Sequence, residues 1–217
     1  MQYIRPFDRQ RAAMVAEMRQ LGVNHEGVLE ALGKVERHLF LDQALHIRAY
    51  HNEALPIGNG QTISQPLTVA LQTALIDPKP GDRILEIGLG SGYQAAVLCE
   101  MGSTVFSIEY HEKLWRIAQE RLKQLGYNLT SRSGDGTFGW PEFAPFDAIL
   151  VTAGASEEPK TLMSQLRIPD HEKEGGKLVV PIGGRASQKM MYCIRKGPND
   201  FQWTQAGDFR FVPFING

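Results

Sequence analysis

Apolar residues in the first third of the chain recur at helical spacing. Over residues 7–21, Ala12, Met14, Val15 and Met18 fall on one side, and Gly22 stops the helix. A second short helix begins at Asn24 or His25 and runs through Leu29 and Leu32. Residues 55–66, Leu-Pro-Ile-Gly-Asn-Gly-Gln-Thr-Ile-Ser-Gln-Pro, are polar and turn-rich yet keep Ile57 and Ile63, and they read as a loop. Pro66 sits where a helix starts, and Leu67, Ala70, Leu71, Ala74 and Leu75 continue it. The stretch 77–82, Asp-Pro-Lys-Pro-Gly-Asp, is a rigid turn.

Beyond it the pattern changes. Short aliphatic and β-branched runs near 83–88, 104–109, 129–133, 147–152 and 177–182 alternate with helical stretches. One of these, 112–125, carries Leu114, Ile117, Ala118, Leu122 and Leu125 on one face. Such alternation predicts βαβ units and a parallel sheet covered on both sides. Residues 189–195 and 209–214 read as two strands with no helix between them, hence an antiparallel pair at the sheet edge. The expected fold is α/β and Rossmann-like, a doubly wound and mostly parallel sheet preceded by helices. No repeat, linker or low-complexity tract divides it. A single domain over 1–217 is expected, with N-terminal helices and a substrate and cofactor loop in 1–80 and the α/β core in 81–217.

Composition narrows the function classes. The 217 residues carry a net charge of −1, so there is no bulk attraction to nucleic acid or an anionic membrane. No apolar run approaches the roughly 20 residues that span a bilayer, and the first residues lack an apolar signal core. Cys99 and Cys193 read as buried free thiols. His38, His46 and His51 fit no ligand spacing, so no metal site is expected. A cytoplasmic location is the default.

The chemistry centres on Gly88, Gly90 and Gly92, between a strand and a helix. Glycines let a backbone approach a ligand closely, and the helix behind them presents free N–H groups. A dinucleotide fingerprint would need its third glycine at position 93, which is Tyr. The acidic-led pattern Glu86-x-Gly88-x-Gly90-x-Gly92 instead resembles the loop of S-adenosylmethionine methyltransferases. Glycine N–H groups suit the cofactor's carboxylate, and Glu86 suits its ammonium, directly or through water. Glu109 ends the next strand 21 positions after Gly88, where an acid binds ribose hydroxyls. Asp135, in Ser133-Gly134-Asp135-Gly136, is placed to accept from an adenine amino group or to form an Asx turn.

Several motifs together resemble the protein-L-isoaspartate O-methyltransferases. They are the 55–66 loop, Glu86 to Leu98, Gly134-Asp135-Gly136, Val151 to Ala155, Val179 to Gly184 and Phe211-Val212-Pro213-Phe214. The resemblance implies transfer of the S-adenosylmethionine methyl to the α-carboxylate of L-isoaspartyl residues in damaged proteins and peptides. S-adenosyl-L-homocysteine is left, and the ester passes through a succinimide back to aspartate. It implies Ser64 as the catalytic residue. Thr62, Ile63, Ser64 and Gln65 would hold the cofactor with the glycines, Glu109, Asp135 and Gly136. Ile57, Ser64, Val212 and Pro213 would hold the peptide. A monomer is expected.

A carboxylate with a reference pKa near 4 is ionised at pH 7, so the acceptor needs no strong base. Ser64 would then be an orienting hydrogen-bond donor. Its rival role is a cap for the helix opening at Pro66. The charged stretch 167–176 exceeds the short turn usual in the family and reads as a solvated loop. A related enzyme esterifying a dedicated biosynthetic peptide would share the cofactor residues but carry an added recognition region. A NAD-dependent oxidoreductase is disfavoured by Tyr93, and a non-catalytic module by the presence of Ser64 and the glycines.

Overall fold

The chain opens with two amphipathic helices, α1 (Asp8–Gln20) and α2 (Glu26–Lys34). His25 caps α2, its Nδ1 accepting from the Val28 N–H. The structure, a computed structural model, describes residues 6–184 and 187–209.

Two 3-10 turns, Arg37–Phe40 and Gln43–Arg48, lead to a feature the sequence did not announce. The stretch expected as a loop forms an antiparallel hairpin, β1 (Leu55–Gly58) with β2 (Gln61–Ile63). Leu55 pairs with Ile63, and both are buried. That pairing anchors a hairpin whose remaining residues, Ile57 apart, are polar or turn-forming. Helix α3 (Pro66–Ile76) follows with proline in its first turn.

The remaining elements alternate as expected: β3 (Arg83–Ile87), α4 (Tyr93–Glu100), β4 (Thr104–Glu109), α5 (Glu112–Gln124), β5 (Thr130–Ser133), β6 (Ala148–Val151), α6 (Lys160–Ser164) and β7 (Lys177–Gly184). Two antiparallel strands close the sheet, β8 (Ser187–Arg195) and β9 (Phe201–Phe209). The order is β5-β4-β3-β6-β7-β8-β9, with the first five parallel. The fold is therefore Rossmann-like with an antiparallel edge. Strand β9 at 201–209 was not expected, and its alternation shows in Phe201 and Trp203, which both pack on the core below. Of the strand expected at 209–214, Phe209 ends β9 and the residues from 210 fall outside the described part.

Strand residues alternate between two cores. Ile84 and Leu150 join Met14, Leu32, Leu55 and Val69 on one face. Leu85 and Ile149 join Phe106, Phe146 and Leu162 on the other. The N-terminal helices thus share a core with the sheet. Strand β3 has β4 on one side and β6 on the other, so the winding reverses there and a crevice opens at its carboxyl end.

Of three smaller expectations, two change. Cys193 is buried but Cys99 is only partly so. His38 packs on Phe7 and Tyr50, as a packing histidine should. The 167–176 stretch is solvated only in its middle. Arg167 pairs with Asp147 at 2.6 Å, and Gly175 and Gly176 are buried.

Candidate active site

The crevice at the end of β3 is a cleft with about 820 Å³ of empty space, its mouth included. Three parts of the chain converge on it. The hairpin contributes Gln61, Thr62, Ile63 and, just after it, Ser64; the glycine loop contributes Gly88, Leu89, Gly90 and Ser91. The strand ends contribute Glu109, Tyr110, His111, Gly136, Thr152 and Ala153.

The glycine loop has this composition for two separate reasons. At Gly88 the φ is +102°, and a Cβ would lie 2.4 Å from Thr152 Oγ1. That hydroxyl donates to the Gly88 carbonyl at 2.8 Å and also reaches Ile87 O at 3.0 Å, tying the end of β6 to the loop. Gly92 caps α4 with φ +89° and is not part of the cleft wall. A Cβ there would come 2.9 Å from Leu122 Cδ1, so Gly92 lets α4 and α5 pack closely.

Glu109 is only 5% exposed, and its carboxylate is held by backbone. Oε2 accepts from the Gly90 N–H at 2.8 Å and Oε1 from the His111 N–H at 2.9 Å. Each oxygen keeps a further lone pair for a ligand. No lysine or arginine lines the cleft among the described residues. A cationic ligand such as a sulfonium with an ammonium suits that wall, whereas a pyrophosphate would find no counter-charge.

Ser64 lines the cleft, but the helix-cap role is not its own. The residue at the N-cap of α3 is Gln65, which makes no side-chain cap bond and does not line the cleft. Asn52 supplies the bond instead, its Oδ1 accepting from the Leu67 N–H at 3.1 Å. The Ser64 backbone is gripped by Arg37, whose Nη2 donates to its carbonyl at 2.7 Å. Arg37 is fully buried, donates through Nε to Ala49 O at 2.8 Å and lies 4.7 Å over the Tyr93 ring. Nothing in the local sequence around Arg37 marks it as a support of the site.

The other expected residues divide. Thr62, Ile63, Gly88, Gly90 and Gly136 line the cleft. Asp135 does not, and its Oδ1 accepts from both the N–H and the hydroxyl of Thr137, which is the Asx turn. Ile57 faces a neighbouring groove. Val212 and Pro213 lie outside the described residues. Gln61, Tyr110, His111 and Thr152 were not singled out from the sequence. Gln61 Nε2 and His111 Nε2 are 3.4 Å apart, so the hairpin meets the segment after β4. Extending the strand-end rule two residues past Glu109 would have found two of the four.

Glu86 is fully buried and stands behind the wall. Ser107 Oγ donates to its Oε2 at 2.6 Å, while Oε1 has no partner. Burial pushes its pKa up to about 8, against the Ser107 bond and with help from the Glu109 charge. The unfolded carboxyl titrates near 4.5, so folding takes up a proton between about pH 4.5 and 8. Stability should therefore fall as pH rises through that window. Glu86→Gln, neutral throughout, should lose that slope and melt higher than the parent at pH 8. Parallel melting-temperature profiles from pH 5 to 8 would assign the slope to other groups.

A family model described as Protein-L-isoaspartate(D-aspartate) O-methyltransferase matches residues 9–217. The protein-L-isoaspartate O-methyltransferase of Salinibacter ruber is 54% identical over 216 residues, covering 98% of this chain and 94% of the relative. That of Flavobacterium psychrophilum is 48% identical over 206 residues, covering 94% and 93%. A solved protein-L-isoaspartate O-methyltransferase aligns at TM-score 0.83 with 31% identity, over 95% of this chain and 66% of that one. A putative protein-L-isoaspartate O-methyltransferase from Plasmodium falciparum, in complex with S-adenosyl-L-homocysteine, aligns at TM-score 0.81 with 25% identity, over 94% and 98%.

Proposed function

The chain belongs to the protein-L-isoaspartate O-methyltransferase family, and from that premise we infer how its own residues divide the work of the reaction. The enzyme is an S-adenosylmethionine-dependent methyltransferase that repairs proteins by esterifying the α-carboxylate of L-isoaspartyl residues. The ester closes to a succinimide, whose hydrolysis returns some normal aspartate. The observation that carries our assignment of roles is that one cleft holds both the Ser64 loop and the Glu109 carboxylate.

Bound S-adenosylmethionine supplies a methyl group on a positively charged sulfur, an activated donor. Glu109 accepts from the ribose hydroxyls while its backbone bonds keep the glycine loop in place. Gly88 and Gly90 let the methionine end approach the backbone closely, although their own N–H groups are spent on the Ile108 carbonyl and on Glu109 Oε2 and do not serve its carboxylate. Thr62, Ile63 and Gly136 shape the walls. Gln65 contributes through the turn it occupies, and Gly92 through helix packing. Asp135 receives the adenine amino group beside its Asx turn. Glu86 acts from behind the wall, where burial keeps its carboxyl protonated at neutral pH and a cationic ligand nearby would draw out the carboxylate form.

The acceptor carboxylate is ionised at pH 7 and needs no base. What remains is to aim one of its oxygens at the methyl group and to keep water out, and such positioning can contribute several kcal/mol. Ser64 donates a hydrogen bond to the carboxylate and orients it. Ile57, Val212 and Pro213 hold the flanking peptide. We assign the whole of 1–217 to one catalytic unit, working as a monomer in the cytoplasm on damaged proteins. Residues 1–80 supply the covering loop, and 81–217 bind the cofactor.

Radiolabelled methyl transfer to an isoaspartyl peptide and to its aspartyl twin tests this directly. The isoaspartyl peptide should be methylated and its twin left nearly untouched, since an extra backbone methylene moves the carboxylate. Equal rates on the two would overturn the substrate assignment. S-adenosylmethionine, and not NAD, should raise the melting temperature of the enzyme by mass action.

A further inference from the structure

Beside the cleft lies a second groove, with about 1,120 Å³ of empty space, the open solvent at its mouth included. Its floor is apolar: Leu45, Ile57, Leu114 and Ile117 line it, the last two on α5. Ile117 is 46% exposed, unusual for an isoleucine in a helix that has a polar face to offer instead. Gly90 and Ser91 line both the groove and the cofactor cleft, and the hairpin stands between the two. Its β2 strand faces the cleft and β1 faces the groove.

One cation stands in the groove. Arg121 continues the line of Leu114 and Ile117 along α5, at positions i, i+3 and i+7 of one helical face. Its Nη1 donates to the Ser91 carbonyl at 3.1 Å, and it forms no ion pair among the described residues. The guanidinium has five N–H donors and stays charged, so most of its bonding capacity is unspent. Asp42, the other charged residue of the groove, is engaged as a cap, its Oδ1 accepting from the Ala44 N–H at 3.0 Å. A half-buried cation without a carboxylate, at the end of an apolar trough that borders an active site, matches an acidic group on an apolar chain.

We propose that this groove binds the chain flanking the isoaspartyl residue, in an extended apolar segment whose acidic side chain or terminal carboxylate pairs with Arg121. This deepens the methyltransferase assignment and rests on it. Damaged proteins that have lost native packing present such apolar segments, and a groove for them favours unfolded substrate over intact surface loops. Ile57 then contacts substrate from the groove side of the hairpin, while Ser64 works on the other side.

The test uses isoaspartyl peptides with an apolar flank in which Asp, Asn or Lys is stepped through successive positions on either side of the isoaspartate. At one position the acidic peptide should show a KM about tenfold below that of its lysine counterpart, as a charge-assisted pair implies. Arg121→Glu should reverse that order, with Lys at the same position restoring KM, and S-adenosylmethionine affinity should stay within about twofold. Ile117→Ser, a surface change, should raise KM for apolar-flanked peptides and leave kcat unchanged. KM values that ignore flank charge in both the parent and Arg121→Glu would overturn the proposal while leaving methyl transfer itself established. An Arg121→Glu effect confined to S-adenosylmethionine affinity would also overturn it, making Arg121 a staple for the glycine loop. No methylation of any isoaspartyl peptide by the parent enzyme would instead overturn the functional assignment beneath it.

Discussion

Glu109→Ala is expected to bind S-adenosylmethionine at least tenfold more weakly. Two losses add. The first is the acceptor for the ribose hydroxyls. A hydrogen bond to a charged group contributes about 1.5–3 kcal/mol, and 1.4 kcal/mol is a factor of ten in affinity. The second is the anchor of the glycine loop, since Oε2 is held to Gly90 N–H at 2.8 Å and Oε1 to His111 N–H at 2.9 Å. Without them both N–H groups lose their partner at the wall of the cleft. Glu109→Gln separates the two losses. Its carbonyl oxygen can keep one backbone bond, but its NH₂ group faces a second donor, so it should fall between the parent and alanine. Isothermal titration with S-adenosyl-L-homocysteine, beside a melting curve for each variant, gives the comparison. Parent-like affinity in both variants would reduce Glu109 to a structural acid at a strand end.

The parts of this enzyme that could be read from its sequence are those whose cause is local. Strand β3 and the loop after it are announced by an aliphatic run broken by glycines, and the structure keeps them within a residue. Glu109 was legible because strand, helix and strand set a spacing that leaves the acid at the crevice. The hairpin was not legible. Strands of four and three residues holding a proline and a glycine carry no periodicity of their own, and pairing of Leu55 with Ile63 decides them. Strand β9 was not legible either, because the alternation of Phe201 and Trp203 is sparse and their packing on the sheet core decides it.

The support of the site was hidden for the same reason. Arg37 acts on Ser64 across 27 positions, Asn52 on Leu67 across 15, and Thr152 on Gly88 across 64. None of these pairs leaves a motif. A buried arginine beside two backbone carbonyls and an aromatic ring is a tertiary fact, and its sequence context, Val-Glu-Arg-His, reads as an ordinary helix end. Local chemistry thus names the groups that touch ligand, while the fold supplies the groups that hold them still.

That division makes Ser64 a clean target. With Asn52 capping α3 and Arg37 holding the Ser64 carbonyl at 2.7 Å, the loop backbone is fixed by bonds that do not involve the Ser64 side chain. Removing or changing the hydroxyl therefore should leave the loop in place. Ser64→Ala should keep a melting temperature within about a degree of the parent, because a true cap loss would cost about 1 kcal/mol, which shifts a chain of this size by about 2–4 °C. It should also bind S-adenosyl-L-homocysteine normally and lose most of its methyl transfer to isoaspartyl peptide. Ser64→Asn should lose more, since its amide is bulkier and directs its donor elsewhere, and a misplaced acceptor of about 1 Å can cost on the order of a hundredfold. The loss should appear in kcat, with peptide KM changed less, because orientation matters most as the carboxylate oxygen meets the methyl carbon. Both variants stable and fully active would remove the Ser64 side chain from the reaction and leave Ser64 only its backbone's part in the cleft wall.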